Sequence, residues 1–218
     1  MTMDDGEERK VGWGEDSPLF RGSVLAEFVE ELDDTVINLA VVREATQRLS
    51  EPQGEIVLGC DIARFGKDKT VVFKRQGDLA EMVWQTQGRD LMTIAGWIGR
   101  YATDNNVDTV VIDDTGLGGG VTDRLRETIG HKNIVPFRAG AKASRAEQFG
   151  NQTTEAWFAM KDWLGGNAQI PNEDTLIGQL VSRRYEIRSD RSLILESKQK
   201  MANSPDEADA LAMTFVDM

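Results

Sequence analysis

Ile56-Val57-Leu58-Gly59-Cys60-Asp61-Ile62 is a continuous apolar run carrying one carboxylate near its end. A strand with one face in water alternates apolar and polar residues, so a run with few breaks predicts a central strand buried on both faces. Working outward, Phe65-Gly66-Lys67-Asp68 reads as a turn and residues 69–74 as a second strand. Gln76-Gly77-Asp78 makes another turn into a third strand over 79–86. Apolar runs joined by short turns predict antiparallel hairpins, here a three-strand meander.

Downstream, Leu91, Ile94, Ala95, Ile98 and Tyr101 recur at helical spacing across 89–105. Residues 108–113 form a β-branched apolar run, and Gly118-Gly119-Gly120 leads into a helix over 121–129. A strand over 133–137 follows, then a long helix over 144–164 stopped by Gly165-Gly166-Asn167. Residues 176–185 read as helix passing into strand, and 186–195 as a hairpin around Arg188-Ser189-Asp190-Arg191. Ser204-Pro205-Asp206-Glu207 opens a last helix, with Ser204 as N-cap, Pro205 at the first helical position and Glu207 completing a capping box. Three antiparallel strands feeding a β-α-β-α unit predict an α/β, ribonuclease H-like fold. It is a mixed five-stranded sheet flanked by helices, with an added late β-hairpin. Trp84, Trp97, Trp157 and Trp163 fall in regular elements and are expected in the core rather than as base-stacking platforms.

The first fifty residues differ. Residues 1–16 are polar with three glycines, 24–28 suit an extended segment, and 38–49 resemble a short amphipathic helix. Glu51-Pro52-Gln53-Gly54 is a turn, so the expected organisation is an extension or linker over 1–50 and a folded domain over 51–218. With 40% hydrophobic and 28% charged residues the composition is globular, and no apolar run approaches a membrane span. The acidic start excludes a signal-peptide pattern. The one cysteine, Cys60, cannot form an internal disulfide; it reads as a small core residue, in keeping with a reducing cytoplasm.

The formal charge of −12 is unusual for a protein that handles nucleic acid. Residues 1–50 contribute −7 and residues 51–218 contribute −5, so much of the excess lies outside the candidate chemistry. Bound divalent ions would neutralise part of the rest. No broad basic face is evident, so any DNA contact is local or the DNA is delivered by another component.

Three acidic positions could carry chemistry. Asp61 ends the first buried strand, where a carboxylate is costly unless it is paired or holds a cation. The alternatives are an acid exposed at the strand end or one satisfied by Lys67 or Lys69. Val110-Val111-Ile112-Asp113-Asp114-Thr115-Gly116 is a strand ending in acids, the edge where α/β sheets present ligands. In the expected fold this strand lies beside the first, so Asp61 and Asp113 approach each other and a cation is the economical way to relieve their repulsion. In the last helix, Asp206 and Asp209 are three apart and share a face. Plain capping explains Asp206 as well as a ligand role does, whereas Asp209 is followed by residues expected to pack on the sheet.

Asp61-Ile62-Ala63-Arg64-Phe65-Gly66-Lys67-Asp68-Lys69-Thr70, Val111-Ile112-Asp113-Asp114-Thr115-Gly116-Leu117-Gly118 and Ser204-Pro205-Asp206-Glu207-Ala208-Asp209-Ala210-Leu211 together resemble the nuclease domain of the large terminase subunit of tailed phages. The stretch from Trp13 to Leu25 is similar to the segment joining motor to nuclease in that family. The resemblance runs over roughly residues 13–217. It implies an endonuclease that cuts concatemeric viral DNA during genome packaging in the host cytoplasm. Its partners would be double-stranded DNA, the portal protein, the small terminase subunit and the motor ATPase domain, with no membrane. Asp61, Asp113 and Asp209 match the metal ligands, and Asp68 and Asp206 match auxiliary acids; Asp114 departs from the usual single acid. The chain lacks a Gly-x-x-x-x-Gly-Lys-Ser/Thr phosphate loop, so no ATPase activity is expected and the chain reads as an isolated or separately made nuclease part. Some relatives carry a histidine at the start of the last helix; the lone His131 here reads as a surface residue.

Hard carboxylate oxygens suit two magnesium or manganese ions, about 3.5–4 Å apart in such sites, and the absence of a Cys/His cluster argues against zinc. Arg64, Lys67 and Lys69 after the first strand, and Arg183 and Arg184 near the late hairpin, are the expected phosphate contacts. Two other readings remain. An actin-like or sugar-kinase-like phosphotransferase also begins with an Asp-bearing hairpin, though it usually needs two copies of the fold. A non-catalytic module could dock the packaging motor with vestigial carboxylates.

Overall fold

The computed structural model describes residues 34–63, 68–115, 118–130, 132–201 and 203–216. The expectations for 1–33, Arg64, Lys67 and His131 lie outside the described residues. The elements are α1 (Leu39–Ala45), β1 (Ile56–Asp61), β2 (Thr70–Gln76), β3 (Leu79–Thr86), α2 (Leu91–Asp104), β4 (Thr109–Asp113), α3 (Gly119–Ile129), β5 (Asn133–Phe137), α4 (Gln152–Leu164), α5 (Asp174–Ser182), β6 (Tyr185–Ile187), β7 (Leu193–Leu195) and α6 (Asp206–Met213). A 3-10 turn, Lys198–Lys200, precedes α6.

The main sheet has the order β3-β2-β1-β4-β5, and β6-β7 form a separate two-stranded sheet. β1 pairs antiparallel with β2 and parallel with β4, and β4 pairs parallel with β5. This is the expected mixed, ribonuclease H-like sheet with its late hairpin. β1 is buried on both faces because layers of helices cover both. Leu58, Cys60, Val110 and Ile112 face one core with Ile94, Ile98 and Leu125 of α2 and α3. The other face meets α4, α5 and α6 through Val71, Phe73, Trp157, Leu180 and Leu211. Val36, Ile37, Val42 and Ala45, ahead of the Glu51–Gly54 turn, belong to that second core. Among the described residues no helix is long and apolar enough to cross a membrane.

Two helix starts differ from expectation. The helix expected over 144–164 begins only at Gln152, where Asn151 Oδ1 accepts the Thr154 N–H at 2.9 Å. Residues 144–148 form turns instead, because the Glu155 carboxylate collects the Ser144 N–H and hydroxyl, each at 2.6 Å, and the Arg145 N–H at 3.0 Å. A side chain that gathers backbone donors in this way competes with helix formation upstream of it. The last helix has no Ser204 cap or capping box. Gln179 Oε1, from α5, accepts from the N–H groups of Glu207 (2.9 Å) and Ala208 (3.0 Å), and the Glu207 carboxylate turns to Thr175 and Gln85. Of the four tryptophans expected in the core, Trp157 is fully buried; Trp163, whose Nε1 donates to the Gly77 carbonyl, and Trp84 and Trp97, stacked at 4.3 Å, are half-buried against it.

One packing constraint positions the candidate chemistry. A β-carbon at Gly59 would lie 2.0 Å from the carbonyl oxygen of Ala210, and only a residue without one lets α6 sit this close to β1. Gly59→Ala should therefore destabilise the fold by about 3 kcal/mol or more, the upper range for overpacking a rigid site. Chemical denaturation measures this, and a midpoint equal to that of the parent would show that α6 is not seated on β1.

Candidate metal centre

The parallel register pairs Cys60 with Ile112, so β1 and β4 end side by side in Asp61 and Asp113. Alternation along each strand sends both carboxylates to the face that carries Val57, Gly59 and Val111, toward α6. α6 brings Asp209 to the same place. These three acids line one narrow cavity of about 30 Å³ with Trp157 of α4, Phe137 of β5 and Lys198 of the 3-10 turn. A space of this size suits an ion or a water rather than an organic ligand.

Asp61 is 9% exposed and its carboxyl is held well above the usual range. Burial is the largest cause; the charge of Asp209 adds to it, Lys198 opposes it, and Asp206 and Asp113 raise it further. Asp113 Oδ1 accepts the Thr115 N–H at 2.8 Å. Its neighbour Asp114 goes elsewhere, accepting from the Thr122 hydroxyl of α3 at 3.1 Å and from Arg138 Nε at 3.4 Å. The two adjacent acids thus separate into a cavity ligand candidate and a tie between β4, α3 and the chain after β5. Asp209 Oδ1 accepts Trp157 Nε1–H at 2.7 Å, and Oδ2 pairs with Lys198 Nζ at 2.5 Å. Burial alone would depress the Lys198 ammonium, but Asp209 and then Asp61 outweigh it and hold its pKa above the usual lysine value.

The auxiliary acids are less central. Asp206 is buried and takes the Lys69 N–H on Oδ2 at 3.0 Å, outside the cavity lining. Asp68 is exposed ahead of β2. The expected phosphate contacts divide: Lys69 is exposed, and Arg184 is half-buried near Asp34. Arg183 is a correction. It is 4% exposed, with Nη1 at Met201 Sδ (2.9 Å) and its guanidinium 5.8 Å from the Trp157 ring centroid, so it braces the interior beside Asp209 rather than meeting phosphate at the surface. Lys198 was not anticipated, because Glu196-Ser197-Lys198-Gln199-Lys200 carries no distinguishing pattern. The burial of Trp157 was legible in the sequence; its hydrogen bond to Asp209 was not.

Among the described residues no three acidic, histidine or cysteine side chains close together on one point. The cavity nonetheless gathers donors of the kind that hard divalent cations prefer. Its donors are carboxylate oxygens, its net charge is negative, and Lys198 already places a positive group against Asp209.

No family model and no curated protein matches the sequence. Solved structures do match by fold. The nuclease domain of the large terminase subunit gp2 of bacterial virus Sf6 superposes with a TM-score of 0.73 at 18% identity, covering 84% of this chain and 99% of that one. A point mutant of that domain with manganese gives 0.70 at 18% identity over the same shares. The large terminase nuclease of thermophilic phage G20c with bound magnesium gives 0.60 at 15% identity, covering 84% and 97%. The chain shares the fold of these large terminase nuclease domains over most of its length.

The electrostatics have a measurable consequence. A carboxyl whose folded-state pKa is raised destabilises the fold at pH values above that pKa and has no such effect below its ordinary, unfolded-state pKa. In the presence of a chelator, Asp61→Asn should therefore melt several degrees higher than the parent at neutral pH. The gain should vanish as the pH falls through the carboxylate range; a variant that is no more stable at neutral pH would contradict the reading.

Proposed function

We propose that this chain is a divalent-metal-dependent DNA endonuclease that cuts concatemeric viral DNA during genome packaging. The observation that carries the reading is the meeting of Asp61, Asp113 and Asp209, from two strands and a helix, in one cavity at the carboxyl edge of the sheet. The shared fold with terminase nuclease domains supports it.

In this reading Asp61, Asp113 and Asp209 would hold two divalent ions, magnesium or manganese. When bound, such ions supply an activated water and charge stabilisation at phosphorus and at the leaving oxygen. Asp206 and Asp68 act from outside the cavity, through water or through the surrounding field. Thr115 N–H fixes the Asp113 carboxylate, and Trp157 and Lys198 fix that of Asp209. Lys198 neutralises part of the cluster in the metal-free protein and lies in the cavity, where an incoming phosphate brings it a second anionic partner. Lys69, Arg184, Arg64 and Lys67 are proposed phosphate contacts, joined by exposed Arg138, which Asp114 holds by its Nε.

The first fifty residues are proposed to connect to a motor ATPase, with the portal protein and small terminase subunit as further partners in the host cytoplasm. The acidic balance of the chain favours DNA delivered by that machinery over unaided capture. Purified protein should nick or linearise supercoiled plasmid with manganese or magnesium, and Asp61→Ala should lower the rate by about 100-fold or more, as for loss of a group that stabilises the transition state. Cutting by Asp61→Ala at the parental rate would overturn the assignment.

A further inference from the structure

Asp114 and Arg138 form an ion pair with unequal ends. The Asp114 side chain is 13% exposed and that of Arg138 is 70% exposed. Asp114 is fixed independently of the arginine: its N–H donates to the Phe137 carbonyl at 2.7 Å, and its Oδ1 accepts the Thr122 hydroxyl of α3 at 3.1 Å. Oδ2 is left for Arg138 Nε, at 3.4 Å. The arginine backbone is fixed as well. Its N–H donates to Gln152 Oε1 at 3.3 Å, and the next N–H, of Ala139, donates to the Thr115 hydroxyl at 3.2 Å. Phe137 and Ala139 line the acidic cavity together with Asp113, so the residue between them stands at its rim.

We propose that Asp114 is a positioning residue for DNA: it holds Arg138 at the cavity rim to meet a backbone phosphate, and an acid thereby strengthens DNA binding. The proposal rests on the reading of this chain as a nuclease. Two effects of Asp114 oppose each other. Its charge repels phosphate and offsets part of the guanidinium's. Its hold restricts a side chain rich in rotamers, so part of the ordering cost is met before DNA arrives. Burial decides between them. The carboxylate is the inner end of the pair and the guanidinium the outer, so a phosphate reaches the cation at contact distance and the acid only beyond it, where attraction at short range outweighs the more distant repulsion.

Anisotropy of a labelled DNA duplex titrated with the intact chain, in chelator at low salt, measures binding without cutting. On charge alone Asp114→Asn, with one acid fewer, binds tighter than the parent. The proposal gives the opposite sign: binding weaker by about threefold, the scale of an exposed ion pair, and no weakening where Arg138→Ala is already present. Arg138→Ala itself should lower the slope of log affinity against log salt by about one. Asp114→Asn that binds as tightly as the parent, or tighter, overturns the proposal. Asparagine keeps an oxygen for the Thr122 hydroxyl, and a melting curve shows whether the variant is folded. Should it fail to fold, Arg138→Lys decides: it keeps the charge but gives up the planar fork that serves two anions from different edges, so parental affinity in that variant overturns the proposal. A parent that cuts plasmid but binds too weakly to titrate is read through KM, which Asp114→Asn should raise with kcat held. If the parent neither binds duplex nor cuts, the nuclease reading itself fails and takes the proposal with it. If the parent binds or cuts and Asp114→Asn matches it, only the role of Asp114 falls.

Discussion

The carbonyl oxygen of Ala210 occupies the space that a side chain on residue 59 would need, so α6 rests on the backbone of β1 rather than on a layer of side chains. The helix comes this close at one point because the strand offers no β-carbon there. The next inward-facing residue on that strand is Asp61, and the residue before Ala210 on the helix is Asp209. The same contact that seals the core therefore forces two carboxylates together, and the parallel pairing of β1 with β4 adds Asp113. Like charges in a buried place oppose folding, and the rest of the site can be read as the set of groups that make this arrangement tolerable.

Those groups are of two kinds. Asp113 accepts a backbone N–H from Thr115, Asp206 one from Lys69, and Asp209 an indole N–H from Trp157. Such donors orient a carboxylate and stabilise its charge without cancelling it. Among the described residues lining the cavity, Lys198 is the one that brings a full opposite charge, with Arg183 behind Trp157 contributing at longer range to Asp209. Burial is the main reason the Asp61 carboxyl is pushed far upward, and the charge of Asp209 adds to it.

Much of this was legible in the sequence because it follows from local rules. The unbroken run of β1, the β-branched run of β4 and the spacing of Leu91, Ile94 and Ile98 locate buried strands and a helix by periodicity, and the sheet order follows from hairpins and short crossovers. Asp61 and Asp113 stood out as acids ending such runs. What escaped depended on contacts distant in the chain. The start of α6 is capped by Gln179 and not by Ser204, and the turns before α4 are gathered by Glu155. Arg183 looks like a surface cation by composition, but Met201 and Trp157 enclose it. Lys198 sits among ordinary polar residues, and only the fold carries its ammonium to Asp209.

The separation of Asp113 from Asp114 bears on how an acidic chain could meet DNA. Strand alternation sends Asp113 to the α6 side, where its charge joins the cavity. Asp114 leaves toward α3, taking the Thr122 hydroxyl and Arg138 Nε. Asp114 is mostly buried and Arg138 is exposed, so the pair is anchored at its acidic end and open at its basic end. The contact with Asp114 is made by Nε, and the Arg138 side chain is otherwise largely exposed. Asp114 thus spends its own charge to orient a cation just beyond the end of β5, on the same sheet edge as the cavity. A local positive point created in this way does not depend on the net charge of the chain, and it lies at the sheet edge where β4 ends in Asp113.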